Sequence, residues 1–188
     1  MTLSWKALPN IITIARLIAV PVMVWLFLID KMTITFWLFI CAGISDAIDG
    51  YLAKRLDAHS VLGSYLDPLA DKLLLIAIFL LLGRGGFIPV WLVMLIVARD
   101  ATLMGLSSFL FRKDRKTAMQ PLMISKINTT LQIVLAGLVL ARLGLGYPDI
   151  GVGHDLLVYA VAITTTISGM LYLWRMYTMS PTGTPRGG

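Results

Sequence analysis

The stretch DAIDGYLAKRLDAHSVLGSYLDPLAD, residues 46–71, sets four carboxylates between two apolar runs: Asp46, Asp49, Asp67 and Asp71. On a helix turning about 100° per residue, Asp49 lies about −60° from Asp46, Gly50 about +40° and Ala53 about −20°. One face thus presents two carboxylates and two small residues. Asp67 and Asp71 are spaced i, i+4 and share a face of a second helix, with Gly63 one turn earlier. The residues between, roughly Arg55 to Ala58, are read as the turn that sets the two helices antiparallel. An Asp near the centre of a membrane helix costs about 2.5–3.5 kcal/mol, and four carboxylates at the ends of apolar helices also repel one another. Helix capping and pairing with Lys54, Arg55 and Lys72 do not account for all four. Divalent cations do, because four carboxylates match two M²⁺. An all-Asp set suits hard ions such as Mg²⁺ or Mn²⁺, and no Cys/His cluster points to zinc. Such a pair of ions can clamp a pyrophosphate during phosphoryl transfer. The small residues let a ligand approach the backbone closely. Asp57 and His59 read as solvated loop residues.

Working outward, the 188 residues are 58% hydrophobic and 14% charged, against about 45–50% and 25% in soluble domains. That excludes a disordered chain, a nucleic-acid-binding tail and most soluble enzymes, and it predicts an integral membrane protein. All ten acidic residues are Asp. A bilayer core needs about 20 apolar residues per helix, and six stretches come close to that: about 11–30, 33–48, 66–83, 87–110, 123–143 and 156–176. The fold expected is all-α with six transmembrane helices. A short interfacial helix over 3–9 carries Trp5, residues 1–179 form one membrane domain, and the tail 180–188 is disordered. Lys6, Lys54, Arg55, Arg112, Lys113, Arg115, Lys116, Lys126, Arg175 and Arg186 fall on one side; Lys31, Arg84 and Arg142 fall on the other. The first side is therefore read as cytoplasmic, with both termini inside. Arg16 interrupts the first span and no small-residue cleavage site follows it, so the span is not read as a signal peptide. With no transit peptide either, the expected location is a bacterial cytoplasmic membrane. The one cysteine, Cys41, allows no disulfide framework.

The aspartate stretch resembles the signature of the CDP-alcohol phosphatidyltransferases, D-x2-D-G-x2-A-R-x8-G-x3-D-x3-D. Asp46, Asp49, Gly50, Ala53, Gly63, Asp67 and Asp71 match at the required spacing, and Lys54 stands where the family has Arg. Lys can meet a phosphate as a point charge but lacks the bidentate fork of Arg. The resemblance implies a six-helix membrane fold, usually a homodimer, with its site on the cytoplasmic side and two divalent cations, Mg²⁺ or Mn²⁺. It makes Asp46, Asp49 and Asp67 metal ligands, and Asp71 a metal ligand and the general base. Gly50, Ala53, Lys54 and Gly63 would line the CDP site. The implied reaction is displacement of CMP from a CDP-linked lipid by an alcohol.

Similarity to the family extends along the chain. Leu-Pro-Asn-Ile-Ile-Thr-Ile-Ala-Arg (8–16) is similar to the opening of its bacterial-type members, which adds Asn10 and Thr13 to the CDP site. Asn10, Thr13 and Arg16 are three apart and form a polar stripe on an apolar helix, where Arg16 is a candidate for a lipid phosphate or the acceptor. Val97-Ala98-Arg99-Asp100 and Ile124-Ser125-Lys126-Ile127-Asn128-Thr129-Thr130 look like the CMP-forming cardiolipin synthases. Phosphatidylglycerophosphate synthases usually have Glu where this chain has Asp100, and Lys where it has Asn128. Glycerol 3-phosphate carries a charge near −2 and calls for fixed cations, whereas phosphatidylglycerol presents a neutral glycerol head. Asn in place of Lys trades a charge for hydrogen bonds suited to hydroxyls. The expected substrates are therefore CDP-diacylglycerol and phosphatidylglycerol, giving cardiolipin and CMP. Arg99, Arg112, Ser125, Lys126, Asn128 and Thr129 join Arg16 as lipid-phosphate or acceptor contacts. Phosphatidylglycerophosphate synthase is the alternative. A cation transporter would spread its ionisable residues through the depth of several spans, whereas here the acidic cluster sits at one end.

Overall fold

The structure is a computed structural model. It describes the backbone over 8–56, 63–111, 123–148 and 151–179, and side chains over 15–45, 72–105, 123–148 and 151–174. The described residues form six helices and no strand: α1 (Leu8–Leu28), α2 (Met32–Leu56), α3 (Gly63–Arg84), α4 (Val90–Phe111), α5 (Met123–Leu145) and α6 (Val152–Met179). Each coincides with one of the six apolar stretches. One expected turn is corrected in part: α2 continues through Arg55 and Leu56, and the rest of that turn, Asp57 and Ala58, lies outside the described residues. The interfacial helix at 3–9, the tail at 180–188, Arg112 and His59 also lie outside the described residues, apart from Leu8 and Pro9, which open α1.

Two of the turns share one device. After α1, the Lys31 amide donates to the Leu26 carbonyl and the Asp30 amide to that of Phe27, with Asp30 at φ 57°. After α3, Phe87 donates to Leu82 and Gly86 to Gly83, with Gly86 at φ 74°. This pairing closes the last helical carbonyls through one left-handed residue, a conformation open to Gly and tolerated by Asp.

The register follows from named contacts. The Thr33 hydroxyl donates to the Gly144 carbonyl, and the Phe39 ring edge lies against Gly137. Six residues along α2 thus match seven back along α5, and the two helices run antiparallel. α3 meets α4 antiparallel at Gly83–Val93 and Lys72–Asp100. α6 runs parallel to α4, through the Trp91–Tyr159 rings and Arg99–Ser168, and antiparallel to α5 through Asn128 and Thr165. Helix contacts join α1–α3, α3–α4, α4–α6, α6–α5, α5–α2 and α2–α1, which closes a ring, and α3 touches α5 across its centre.

Along the ring's interior the chemistry changes. Phe79, Leu82, Leu92, Leu135, Leu140 and Val161 are fully buried and apolar. Toward the end where α1, α3 and α5 begin, the buried residues turn polar: Arg16, Arg99, Asp100, Asn128, Gln132 and Ser168. Outside, Trp25, Trp37, Met94, Leu156 and Ile163 are exposed, an apolar exterior over a partly polar interior. Among the described residues, two helical stretches, Met123–Leu145 and Val152–Trp174, are long and apolar enough to cross a membrane.

Candidate functional site

Asp46, Asp49, Gly50, Ala53 and Lys54 ride the last turns of α2, and Gly63, Asp67 and Asp71 the first turns of α3. The two helices thus bring their aspartate-bearing ends to the polar end of the ring. The side chains of these residues, and of Asn10 and Thr13, lie outside the described ones. Backbone register locates their neighbours. Arg16 and Ala19 of α1 line a pocket of about 170 Å³ with Leu38, Cys41, Ala42 and Ser45 of α2. Arg16 is buried, one residue short of the level of Asp46. Carrying the antiparallel step from the Arg16–Ser45 level along α1 places Thr13 level with Ile48 and Asn10 level with Tyr51. The same step on α5, from the Phe39–Gly137 level, puts Asn128 level with Ile48, between the first two aspartates.

A charged network lies beside Asp71. Lys72 Nζ donates to Asp100 Oδ1 at 2.8 Å, and Arg99 Nη1 donates to the same oxygen at 2.6 Å. Arg99 Nη2 donates to the hydroxyls of Ser125 and of Ser168, the latter at 2.8 Å. Asp100 is fully buried, Arg99 nearly so. Two cations share one carboxylate, so the cluster carries a net positive charge at the aspartate end, and it ties α3, α4, α5 and α6 into one unit. Both terminal nitrogens of Arg99 are engaged inside the protein, which makes it a brace for the site wall. Lys126 is exposed and stands apart from this network. Thr129 donates its hydroxyl to the Ser125 carbonyl at 3.1 Å. Of the candidates on α5, Ser125 is the one whose side chain joins Arg99 in the network.

Asn128 is fully buried. Its Oδ1 accepts from Thr164 at 2.9 Å and Thr165 at 2.8 Å, which fixes α5 to α6. One turn further, Gln132 is fully buried as well. Gln132, Thr165, Ser168 and the Lys72–Asp100 pair are absent from the sequence reading. The signal for Gln132 was present: Ser125, Asn128 and Gln132 recur at i, i+3 and i+7 in an otherwise apolar helix.

A family model of CDP-alcohol phosphatidyltransferases matches residues 6–174. The chain belongs to the CDP-alcohol phosphatidyltransferase family. Curated relatives of two kinds match it. A cardiolipin synthase (CMP-forming)/mitochondrial hydrolase fusion protein of Schizosaccharomyces pombe is 34% identical over 180 residues, covering 88% of this chain and 30% of the relative. The cardiolipin synthase (CMP-forming) of Rattus norvegicus is 31% identical, covering 88% and 60%. The CDP-diacylglycerol–glycerol-3-phosphate 3-phosphatidyltransferase of Rickettsia typhi is 32% identical over 171 residues, covering 89% and 95%. The chain therefore spans less than two thirds of the first two relatives, 30% and 60%, and nearly all of the third.

As a CDP-alcohol phosphatidyltransferase it belongs to an enzyme family that generally uses divalent cations. Among the described residues no group of three or more His, Cys, Asp or Glu could hold a metal. The four-aspartate motif on the ends of α2 and α3 fits the requirement, since its donors are all carboxylate oxygens.

Proposed function

We propose that this chain is a six-pass CMP-forming cardiolipin synthase of a bacterial cytoplasmic membrane, with both termini cytoplasmic, residues 1–179 as one domain, and a homodimeric assembly. The acceptor hydroxyl of phosphatidylglycerol attacks the phosphorus that carries the diacylglycerol of CDP-diacylglycerol. A new P–O bond forms, the P–O bond to CMP breaks, and the hydroxyl proton passes to Asp71. Asp46, Asp49, Asp67 and Asp71 would hold two divalent cations, Mg²⁺ or Mn²⁺, which when bound neutralise charge on the pyrophosphate. Asn10, Thr13, Gly50, Ala53, Lys54 and Gly63 line the cytidine diphosphate. Arg16 and Arg112 serve lipid phosphates. Ser125, Lys126, Asn128 and Thr129 form the acceptor side, and Arg99 supports it from behind.

The observation that carries the choice of acceptor is Asn128. It is buried at the level of the first two aspartates and held by two threonine hydroxyls, and the buried Arg99 nearby is already engaged by Asp100 and two serines. A neutral amide suits a glycerol head better than a phosphomonoester, which calls for unengaged cations. The R. typhi relative keeps phosphatidylglycerophosphate synthase as the second reading, because its name specifies glycerol 3-phosphate and the chain spans 95% of it. Purified protein given labelled CDP-diacylglycerol, Mn²⁺ and each acceptor separately decides between them. Cardiolipin is the expected product, and product from glycerol 3-phosphate alone overturns the assignment. The Asp71→Asn protein is expected to yield neither product while keeping its fold.

A further inference from the structure

Gln132 has no part in the site described so far. It is fully buried, and neither its Nε2 nor its Oε1 has a hydrogen-bond partner; Asn128 Nδ2, one turn nearer the aspartates, is in the same state. A buried polar group without a partner costs about 1–3 kcal/mol. Three such atoms on one helix face are therefore a poor stability device and a good binding one.

Their directions are constrained. Asn128 Oδ1 faces the Thr164 and Thr165 hydroxyls of α6. The nitrogen of a planar amide diverges from its oxygen, so Nδ2 points away from those hydroxyls. Side chains four apart on a helix lie one above the other, so the Gln132 amide lies on the same helix face as that of Asn128. Together the two amides offer N–H donors and one carbonyl acceptor, with no charge. This complements a hydroxyl, which accepts one hydrogen bond and donates another. A phosphate would leave the Gln132 carbonyl facing another acceptor.

We infer that Asn128 Nδ2 and the Gln132 amide form a subsite for a non-reacting hydroxyl of the acceptor alcohol. The inference rests on the acceptor reading of Asn128 above and adds a residue and a chemical group to it. The glycerol head of phosphatidylglycerol has a terminal hydroxyl that reacts and a middle hydroxyl that does not, and glycerol 3-phosphate has the same two. With the reacting oxygen at the aspartates, the subsite would hold the middle hydroxyl. Both acceptors carry that hydroxyl, so either can report on the subsite.

The test compares each acceptor with its deoxy partner on the purified full-length protein: phosphatidylglycerol against phosphatidyl-1,3-propanediol, and glycerol 3-phosphate against 1,3-propanediol phosphate. Wild type should lose about tenfold or more in kcat/KM on the deoxy compound, since a site built to bind a hydroxyl rejects the analogue lacking it. Gln132→Met, close in length and apolar, should raise the KM for the natural acceptor by a similar factor. It should leave the KM for CDP-diacylglycerol unchanged and no longer distinguish the two compounds. Equal use of both compounds by wild type overturns the subsite, and needs no variant to fold. Discrimination that survives intact in Gln132→Met removes Gln132 from it, and a matched rise in both KM values marks the amides as structural. If wild type uses only glycerol 3-phosphate, the cardiolipin reading fails, while the glycerol 3-phosphate pair still decides the subsite.

Discussion

Asp100 is the residue on which the wall of the site turns. It has no exposed surface and receives both Lys72 and Arg99 on one oxygen. Removing one partner of a buried ion pair leaves an uncompensated charge and costs about 3–5 kcal/mol. Asp100→Leu strands the buried Arg99 guanidinium, so its unfolding midpoint in detergent should fall steeply. The double change Arg99→Met/Asp100→Leu should recover part of the loss, because both buried charges go together. If the single variant matches wild type, the network does not brace the site. Arg99 and Asp100 were both picked out in the sequence by the resemblance carried by Val97-Ala98-Arg99-Asp100. Their shared partner was not. Lys72 follows Asp71 and invites pairing with a neighbouring aspartate, and only the register of α3 on α4 brings it to a residue 28 positions later. Side-chain spacing along one helix carries no information about the register between two.

At the scale of the elements, the helices were legible and their ends were not. Hydropathy windows stop where charges begin, near residue 48; the spacing of Asp46, Asp49, Gly50 and Ala53 carries the helix on to Ala53, and α2 continues to Leu56. Ala53, Lys54, Arg55 and Leu56 are good helix formers, so backbone hydrogen bonding persists after the apolar signal has ended. This extension puts Asp49, Gly50, Ala53 and Lys54 on a rigid helix. The α2–α5 seam offers a test of its own. A Cβ at Gly144 would sit 2.7 Å from the Met32 carbonyl oxygen, whereas one at Gly43 meets nothing within 4 Å. Gly144→Val should destabilise the fold by about 1–3 kcal/mol, because the obstacle is backbone and cannot rotate aside. Gly43→Ala should be neutral or add up to about 1 kcal/mol through helix propensity. Thermal unfolding of the two variants side by side reads the difference, and an unaffected Gly144→Val would show that the helices do not meet there.

For the molecule as a whole, the motif led to the family, and the six-fold count of apolar stretches led to the helices. The order of helices around the ring was beyond reach, because six apolar helices can be arranged in many rings with the same hydropathy. Cation dependence belongs to this scale, since α2 and α3 jointly supply the carboxylates. Excess EDTA should abolish CMP release, and Mg²⁺ or Mn²⁺ should restore it. Independently of turnover, added cation should raise the melting temperature of wild type, because a ligand that binds only the folded state stabilises it. Asp67→Asn should blunt that rise, and an unchanged shift would place the bound ion elsewhere.

The three connections at the end opposite the aspartates are short: three residues between α1 and α2, five between α3 and α4, six between α5 and α6. The chain is therefore three helical hairpins in series, and contacts local in sequence form early. The network at the site belongs to no single hairpin. The second supplies Lys72, Arg99 and Asp100, and the third supplies Ser125 and Ser168. During synthesis the first two hairpins can form and pair while Arg99 still awaits both serines. A nascent chain then carries the aspartate-bearing helix ends before the network that ties α3, α4, α5 and α6 together can close.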